Sequence, residues 1–501
     1  MTFDLVLAGG RVIDSETGLD APRHVGVTGG RITAVSEDPL PDTRLTVDAS
    51  ERIVAPGFID LHSHAGDVAG GRLQAFDGVT TALDLEAGAH PVGHAYRRAA
   101  DEGRPINYGY SASWAAARMS VLAGIVADGR LGTVLGHIAD PAWQRAATVR
   151  ELAEIRGHLT ADLADGALGI GIIVGYAPSA DPAEYLDLAR LAAMAGTPTY
   201  THARELAKDD PATLIDGAEE IVRAAAETGA AMHYCHVNST SRRRVDEVLA
   251  LVDRVRRAGA RLSTEAYPYG SGMTGIGATF LAPERLATWG LEPSSLTYLK
   301  TGERVATAER LAALRVSDPG GLVTVDFLDE LDPVDRGYLV RALAFPDAVV
   351  ASDAMPLTWP GGAGDPYRWP LPAEAVTHPR SAGTFARALR LMTREEGALS
   401  VAEVIRRSSY LPARLLEDCA PQMRSKGRVQ VGCDADLVVF DPDRITDRAT
   451  YAASSLTSNG VDQVLVNGRF VICDGELVTD ALPGRPVRAE PSPHGAEPPA
   501  R

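Results

Sequence analysis

Short apolar runs separated by amphipathic stretches fill residues 56–420. Eight of them, IVAPGFIDLH, VTTALDLE, INYGYSASW, ALGIGIIVGY, PTYTHA, AAMHYCHV, ARLSTEAYP and AVVASDA, read as buried parallel strands. The stretches between them carry helix punctuation. Asp181-Pro182 opens a helix that stops at Gly196, and Asp210-Pro211 opens one that stops at Gly229, matching the preference for a capping Asp, Pro at the first helical position and Gly past the end. Val245, Leu249, Val252 and Val255 then form one apolar stripe that ends near Gly259. Strand and helix alternating eight times predict a (β/α)8 TIM-like barrel over 56–420.

The pattern differs at the two ends. Residues 1–55 and 421–480 alternate apolar and polar positions around Gly-Gly, Asn467-Gly468 and Asp474-Gly475 turns, which predicts one small β-sandwich domain assembled from both chain ends. Residues 268–346 separate the seventh strand from the eighth, far more than an ordinary βα loop, and form a candidate lid. The Pro-rich segment 481–501 is expected to be disordered.

Composition narrows the function classes. A formal net charge of -17 over 501 residues disfavours binding to nucleic acid or an anionic membrane, which requires clustered basic residues. No apolar run reaches the length of a membrane span, and no basic leader opens the chain. Cys235, Cys419, Cys433 and Cys473 form no CxxC pair, so reduced thiols and a cytoplasmic location are expected. A small-molecule substrate is the expected partner, and the composition is compatible with a homo-oligomer. Lysine occurs only at 208, 300 and 426.

The candidate chemistry sits at strand ends. His62 and His64 in APGFIDLHSH are two apart and so share one side of the first barrel strand, directing two imidazoles to one point. His202 in YTHARE and His236 in YCHVNST end later strands, and Asp353 in VVASDAMP ends the last. Barrel active sites lie at strand C-termini, and an acid after an apolar run requires a metal or hydrogen bonds. Cys235 alternates away from His236 and reads as a packed thiol.

With GVTT, LGIGIIVGYAP, EAYPYG, HPRSAGTFAR and GCDADLVVFDP added, the chain resembles the amidohydrolase superfamily, and within it the N-acyl-D-amino-acid deacylases, including D-glutamate-type members. The resemblance implies a divalent metal, zinc being the first candidate, as one or two ions. It assigns His62 and His64 to one metal, His202 and His236 to the other, and general acid/base duty to Asp353. Relatives bridge two metals with a carboxylated lysine or a cysteine. Here no lysine lies between His64 and His202 and VTTALDLEAG has no cysteine, so Glu86 is the expected bridge, with Asp84 as fallback. Arg380 in HPRSAGTF is expected to hold a substrate carboxylate and Arg204 a second one, while Tyr267 and Tyr176 line the pocket. Asn238 stands where relatives often carry Lys. The implied reaction is hydrolysis of an N-acyl-D-amino acid, N-acyl-D-glutamate being one candidate, by water activated on the metal. A cyclic amidase of the hydantoinase or dihydroorotase kind and a non-catalytic scaffold are the alternatives.

Overall fold

The computed structural model describes residues 2–41, 43–359, 362 and 364–490. Seven strands fall within the apolar runs and the second extends three residues past its run: β1 (Phe58–Asp60), β2 (Val79–Ala89), β3 (Asn107–Ser113), β4 (Ile170–Ile172), β5 (Thr199–Thr201), β6 (Met232–Tyr234), β7 (Leu262–Ala266) and β8 (Val349–Val350). They form one sheet in the order β8-β7-β6-β5-β4-β3-β2-β1, the strand sequence of a (β/α)8 barrel. The pairs β1–β2, β3–β4, β4–β5, β5–β6 and β6–β7 are parallel. Thr201 lies opposite both Ile172 and Tyr234, so the chain leaves β4, β5 and β6 at one level.

The crossover helices test the punctuation. α1 (Pro182–Ala195) begins as expected: the Asp181 side chain accepts from the Ala183 N–H, and Gly196 ends the helix at φ +69°. α2 (Gly217–Thr228) starts at Gly217 and not at Pro211, because Asp216 supplies the cap by accepting from the N–H groups of Ala218 and Glu219. Asp210 instead closes a turn onto the Ala212 N–H and binds Arg285. An Asp-Pro pair starts turns as readily as helices, and the sequence pattern did not separate the two. α3 (Val245–Arg257) buries Val245, Leu249 and Val252, with Val255 half-buried.

The chain divides into two compact units. One comprises Met1–Leu83, Ala99–Tyr108 and Val349–Val487. Its nine-stranded sheet joins both chain ends: the strand Leu437–Phe440 runs antiparallel to Ile53–Pro56. Leu7, Val12, Val25, Val54, Leu437, Val439 and Leu465 form its core, each buried side chain contributing roughly 1.5–3 kcal/mol of transfer free energy. The first part of the segment expected to be disordered is ordered in this unit. Gly484 donates its N–H to the Arg104 carbonyl, Tyr108 donates to Arg485, and Val487 donates to Tyr108. Pro-rich composition predicts extended backbone, and extended backbone pairs when a strand edge is available. The rest of that segment, from residue 491, lies outside the described residues.

The second unit comprises Asp84–Arg98, Gly109–Ala348 and the described residues from Arg488. Within it, the 268–346 insertion folds into an antiparallel sheet ordered Ser271–Gly275, Leu322–Asp326, Leu296–Tyr298 and Glu303–Arg304. No helix among the described residues is long and apolar enough to cross a membrane.

Candidate metal centre

In the second unit, Glu86 on β2, His202 directly after β5 and His236 two residues after β6 converge. Glu86 Oε1 lies 2.9 Å from His202 Nδ1 and 2.7 Å from His236 Nε2. Their candidate ligand atoms all lie within 4.8 Å of one another. Two glycines make room for this. A Cβ on Gly171 of β4 would stand 2.3 Å from the Glu86 carbonyl oxygen, and one on Gly175 would stand 2.7 Å from His202 Cδ2.

His236 is held from two sides. Its backbone is left-handed, at φ +31° and ψ 58°, a conformation that costs a non-glycine residue free energy and persists only where neighbours enforce it. The buried Glu265 carboxylate on β7 does so by accepting the His236 N–H at 3.3 Å, while its other oxygen lies 2.9 Å from His233 Nε2. On the ring, Ser239 Oγ lies 3.0 Å from His236 Nδ1 and donates its hydrogen to the His236 carbonyl oxygen at 3.1 Å. A hydroxyl has one hydrogen, so with that hydrogen on the carbonyl Ser239 accepts from Nδ1–H, the tautomer that turns the Nε2 lone pair toward Glu86 and a bound ion. A lone pair set against a carboxylate oxygen calls for a cation, and one carboxylate with two imidazoles is a donor set suited to zinc or a similar ion.

An aromatic column backs His202. Tyr176 packs on its ring with centroids 4.7 Å apart, and the Tyr176 hydroxyl pairs with Thr274 Oγ1 at 2.8 Å. Phe280 from the insertion lies within 15° of parallel to His202, Trp289 stacks on Phe280 at 4.8 Å, and the Arg242 guanidinium covers Trp289 at 4.2 Å. Tyr267 is buried, 6.4 Å from the His236 ring and packed against Phe327. Asn238 braces its backbone, donating Nδ2–H to the Tyr267 carbonyl and accepting the Tyr267 N–H.

Arg204 corrects an expectation. It was assigned a substrate carboxylate, yet its side chain is fully buried: Nε donates to Glu220 at 2.8 Å, Nη1 to the Pro178 carbonyl and Nη2 to the Ala180 carbonyl. Alternation put it on the same strand side as His202 but could not foresee the acid waiting on α2. Asp84, the fallback to Glu86, is half-buried and accepts from the Gly88 N–H at 3.0 Å.

In the first unit, His62 and His64 follow β1 and Asp353 follows β8. His62 Nε2 and His64 Nε2 are 3.1 Å apart, and Asp353 Oδ1 lies 3.5 Å from the first and 3.6 Å from the second. A parallel bridge between Ser63 and Ala354 sets this register, with the His64 N–H donating to the Ala354 carbonyl at 2.7 Å. Asp353 is left-handed, at φ +51°. Arg380, at the start of α4 (Arg380–Leu389), donates from Nη2 to Asp353 Oδ2 at 2.8 Å, so the guanidinium expected to hold a substrate carboxylate is seated on that of Asp353. Beneath them Asp60 is completely buried. It accepts from the N–H groups of His62 and Ser352, from Gln74 and from the Ser352 hydroxyl, and burial pushes its pKa up to about 6 despite those bonds.

Sequence reasoning did not single out Asp60, Glu265 or Ser239 as supports of the ligands. All three lie in or beside quoted motifs, and a carboxylate inside an apolar strand, as at Asp60 and Glu265, was the available signal.

The chain matches the amidohydrolase family over residues 45–472. It is 29% identical to an N-acyl-D-glutamate deacylase of Alcaligenes xylosoxydans xylosoxydans over 99% of this chain and 98% of that protein. It is also 29% identical to a D-aminoacylase of the same organism (93% and 94% covered) and 28% identical to its N-acyl-D-aspartate deacylase (96% and 94%). Among solved structures, the N-acyl-D-glutamate deacylase from Bordetella bronchiseptica, complexed with zinc and a phosphonate inhibitor mimicking the tetrahedral intermediate, is similar with a TM-score of 0.77 and 26% identity, covering 98% of this chain and 100% of that one.

Proposed function

This chain belongs to the amidohydrolase family, and on that premise we propose that it is a metal-dependent deacylase that hydrolyses N-acyl-D-amino acids to a D-amino acid and a carboxylic acid. The observation that carries the reading is the convergence of Glu86, His202 and His236, with Ser239 against the His236 ring. These residues would hold a divalent ion, zinc first among candidates, and His62 and His64 would offer a second ligand pair. When bound, such an ion polarises the scissile carbonyl and lowers the pKa of water to about 7.

The chain's own residues supply the proton traffic. Asp353 takes the proton of the attacking water and delivers it to the departing nitrogen, so that the amine leaves as a neutral group. Arg380 keeps the Asp353 carboxylate oriented between these transfers, by a charge-assisted bond. Tyr176 and Tyr267 shape the apolar surround of the ligands His202 and His236.

The test is a stereopaired screen of N-acetyl-D- and L-amino acids with metal analysis on the same sample. Turnover of D isomers alone, tracking metal content, is the expected result, and preference for L isomers overturns the reading. Dihydrouracil, hydantoin and dihydroorotate in the same screen test the cyclic-amidase alternative.

A further inference from the structure

The three full-length relatives are almost equally similar at 29%, 29% and 28%, yet two are named for acidic amino acids and one is not. Similarity therefore does not choose the substrate's side chain. The charges around the His202–His236 strand ends do.

An N-acyl-D-glutamate or N-acyl-D-aspartate brings a second charge, which in a buried site requires a compensating cation. The cationic groups of the second unit that follow these histidines in sequence or back them in space are each paired with carboxylates. All three guanidinium nitrogens of Arg204 donate to Glu220 and two carbonyls, with the side chain fully buried. Arg242 pairs with Asp209, its face covered by Trp289, and Arg244 pairs with the same Asp209. Arg285 pairs through Nη2 with both Glu205 and Asp210, its buried Nε having no hydrogen-bond partner. Asn238 is neutral and spends both ends of its amide on the Tyr267 backbone. Four arginines thus face four carboxylates, and no net positive charge is left among them. The side chains against His202 are rings: Tyr176 and Phe280, with Trp289 behind.

We infer that the substrate of this centre is an N-acyl-D-amino acid with an uncharged side chain, and that the chain discriminates against the acidic substrates for which two of its relatives are named. The inference rests on the deacylase reading. The α-carboxylate is common to every candidate and does not enter the discrimination, and the net charge of -17 adds a long-range penalty for a dianion.

The experiment compares kcat/KM for matched pairs on the metal-replete full chain: N-acetyl-D-glutamine against N-acetyl-D-glutamate, and N-acetyl-D-asparagine against N-acetyl-D-aspartate. Members of a pair have nearly the same shape, so the ratio reads charge. The neutral member is expected to be favoured by about tenfold or more in each pair, the scale set by an unpaired charge in a partly buried site. An acidic member turned over as well as or better than its amide overturns the inference and leaves the deacylase reading standing. If metal is bound and no N-acyl-D-amino acid is hydrolysed, N-acetyl-D-leucine and N-acetyl-D-methionine included, the deacylase reading fails and this inference fails with it.

Discussion

The two ligand sets are built to the same plan and charged differently. Each has a histidine whose backbone N–H is held by a buried carboxylate, Asp60 for His62 and Glu265 for His236, and each contains one left-handed non-glycine residue, Asp353 or His236. In the first, the functional carboxylate already has a guanidinium at 2.8 Å. In the second, Glu86 is set against two imidazoles, one presenting a lone pair. A balanced anion suits repeated proton transfer, whereas an anion set between two imidazole nitrogens suits a cation. On the proposed reading, the first set supplies the proton-handling carboxylate beside a second ligand pair, and the second set supplies the carboxylate-centred metal ligands.

The largest effect expected from breaking this contrast is on turnover. Asp353→Asn should lower kcat by roughly 10²–10⁴-fold while metal content stays near that of the parent, the range spanned by positioned acid/base groups. Kinetics and metal analysis on one preparation check it, and an active variant would remove Asp353 from the mechanism. Glu86→Ala should instead lose metal and turnover together. Chelation should lower the melting temperature of the parent by linkage and lower that of Glu86→Ala less, because the variant has lost the Glu86-centred site. Full metal content in Glu86→Ala would mean that the carboxylate is no ligand.

Ser239→Ala leaves every proposed ligand in place and frees the His236 ring to adopt the other tautomer. Metal affinity is expected to fall by roughly 10–100-fold, as for other outer hydrogen-bond partners of a ligating histidine, with kcat at saturating metal little changed. Competition with a chelating dye reads this directly.

The smallest effect concerns the anchor of α4, the helix that carries Arg380. Asp77 accepts the N–H groups of Phe385 and Ala386 and the Ser458 hydroxyl, and burial raises its carboxyl from 3.8 to about 8. Between about pH 4 and pH 8 the folded chain therefore holds a proton that the unfolded chain has released, so this group's contribution makes stability fall as pH rises through that window. Asp77→Asn should flatten that slope, measured as the difference in denaturant midpoint between pH 5 and pH 8. An unchanged slope would place the proton elsewhere.

The barrel was legible because its strands are nearly continuous apolar runs and its helices carry stops as well as starts. His62, His64, His202, His236 and Asp353 were legible because polar residues end those runs. Glu86 was singled out by subtraction, from a strand with neither lysine nor cysteine, and the structure sets it against His202 and His236. Arg204 was misread because strand alternation gives a direction and not a partner, and its partner Glu220 lies sixteen positions on, in α2. The Asp210-Pro211 helix start was misread because the competing cap, Asp216, wins only through contacts that the folded loop creates. Asp60, Ser239 and Glu265 act on backbone groups and ring tautomers, properties that a one-dimensional pattern does not record.

The column from His202 through Phe280 and Trp289 to Arg242 ties the fate of the insertion to that of a ligand. Coupling of this kind is reciprocal: whatever displaces the insertion enough to unstack Phe280 must loosen the ion by some factor, and binding the ion must steady the insertion by the same factor. A chain whose 268–346 segment was exchanged for another would be retuned as a metalloprotein without any change to its ligands.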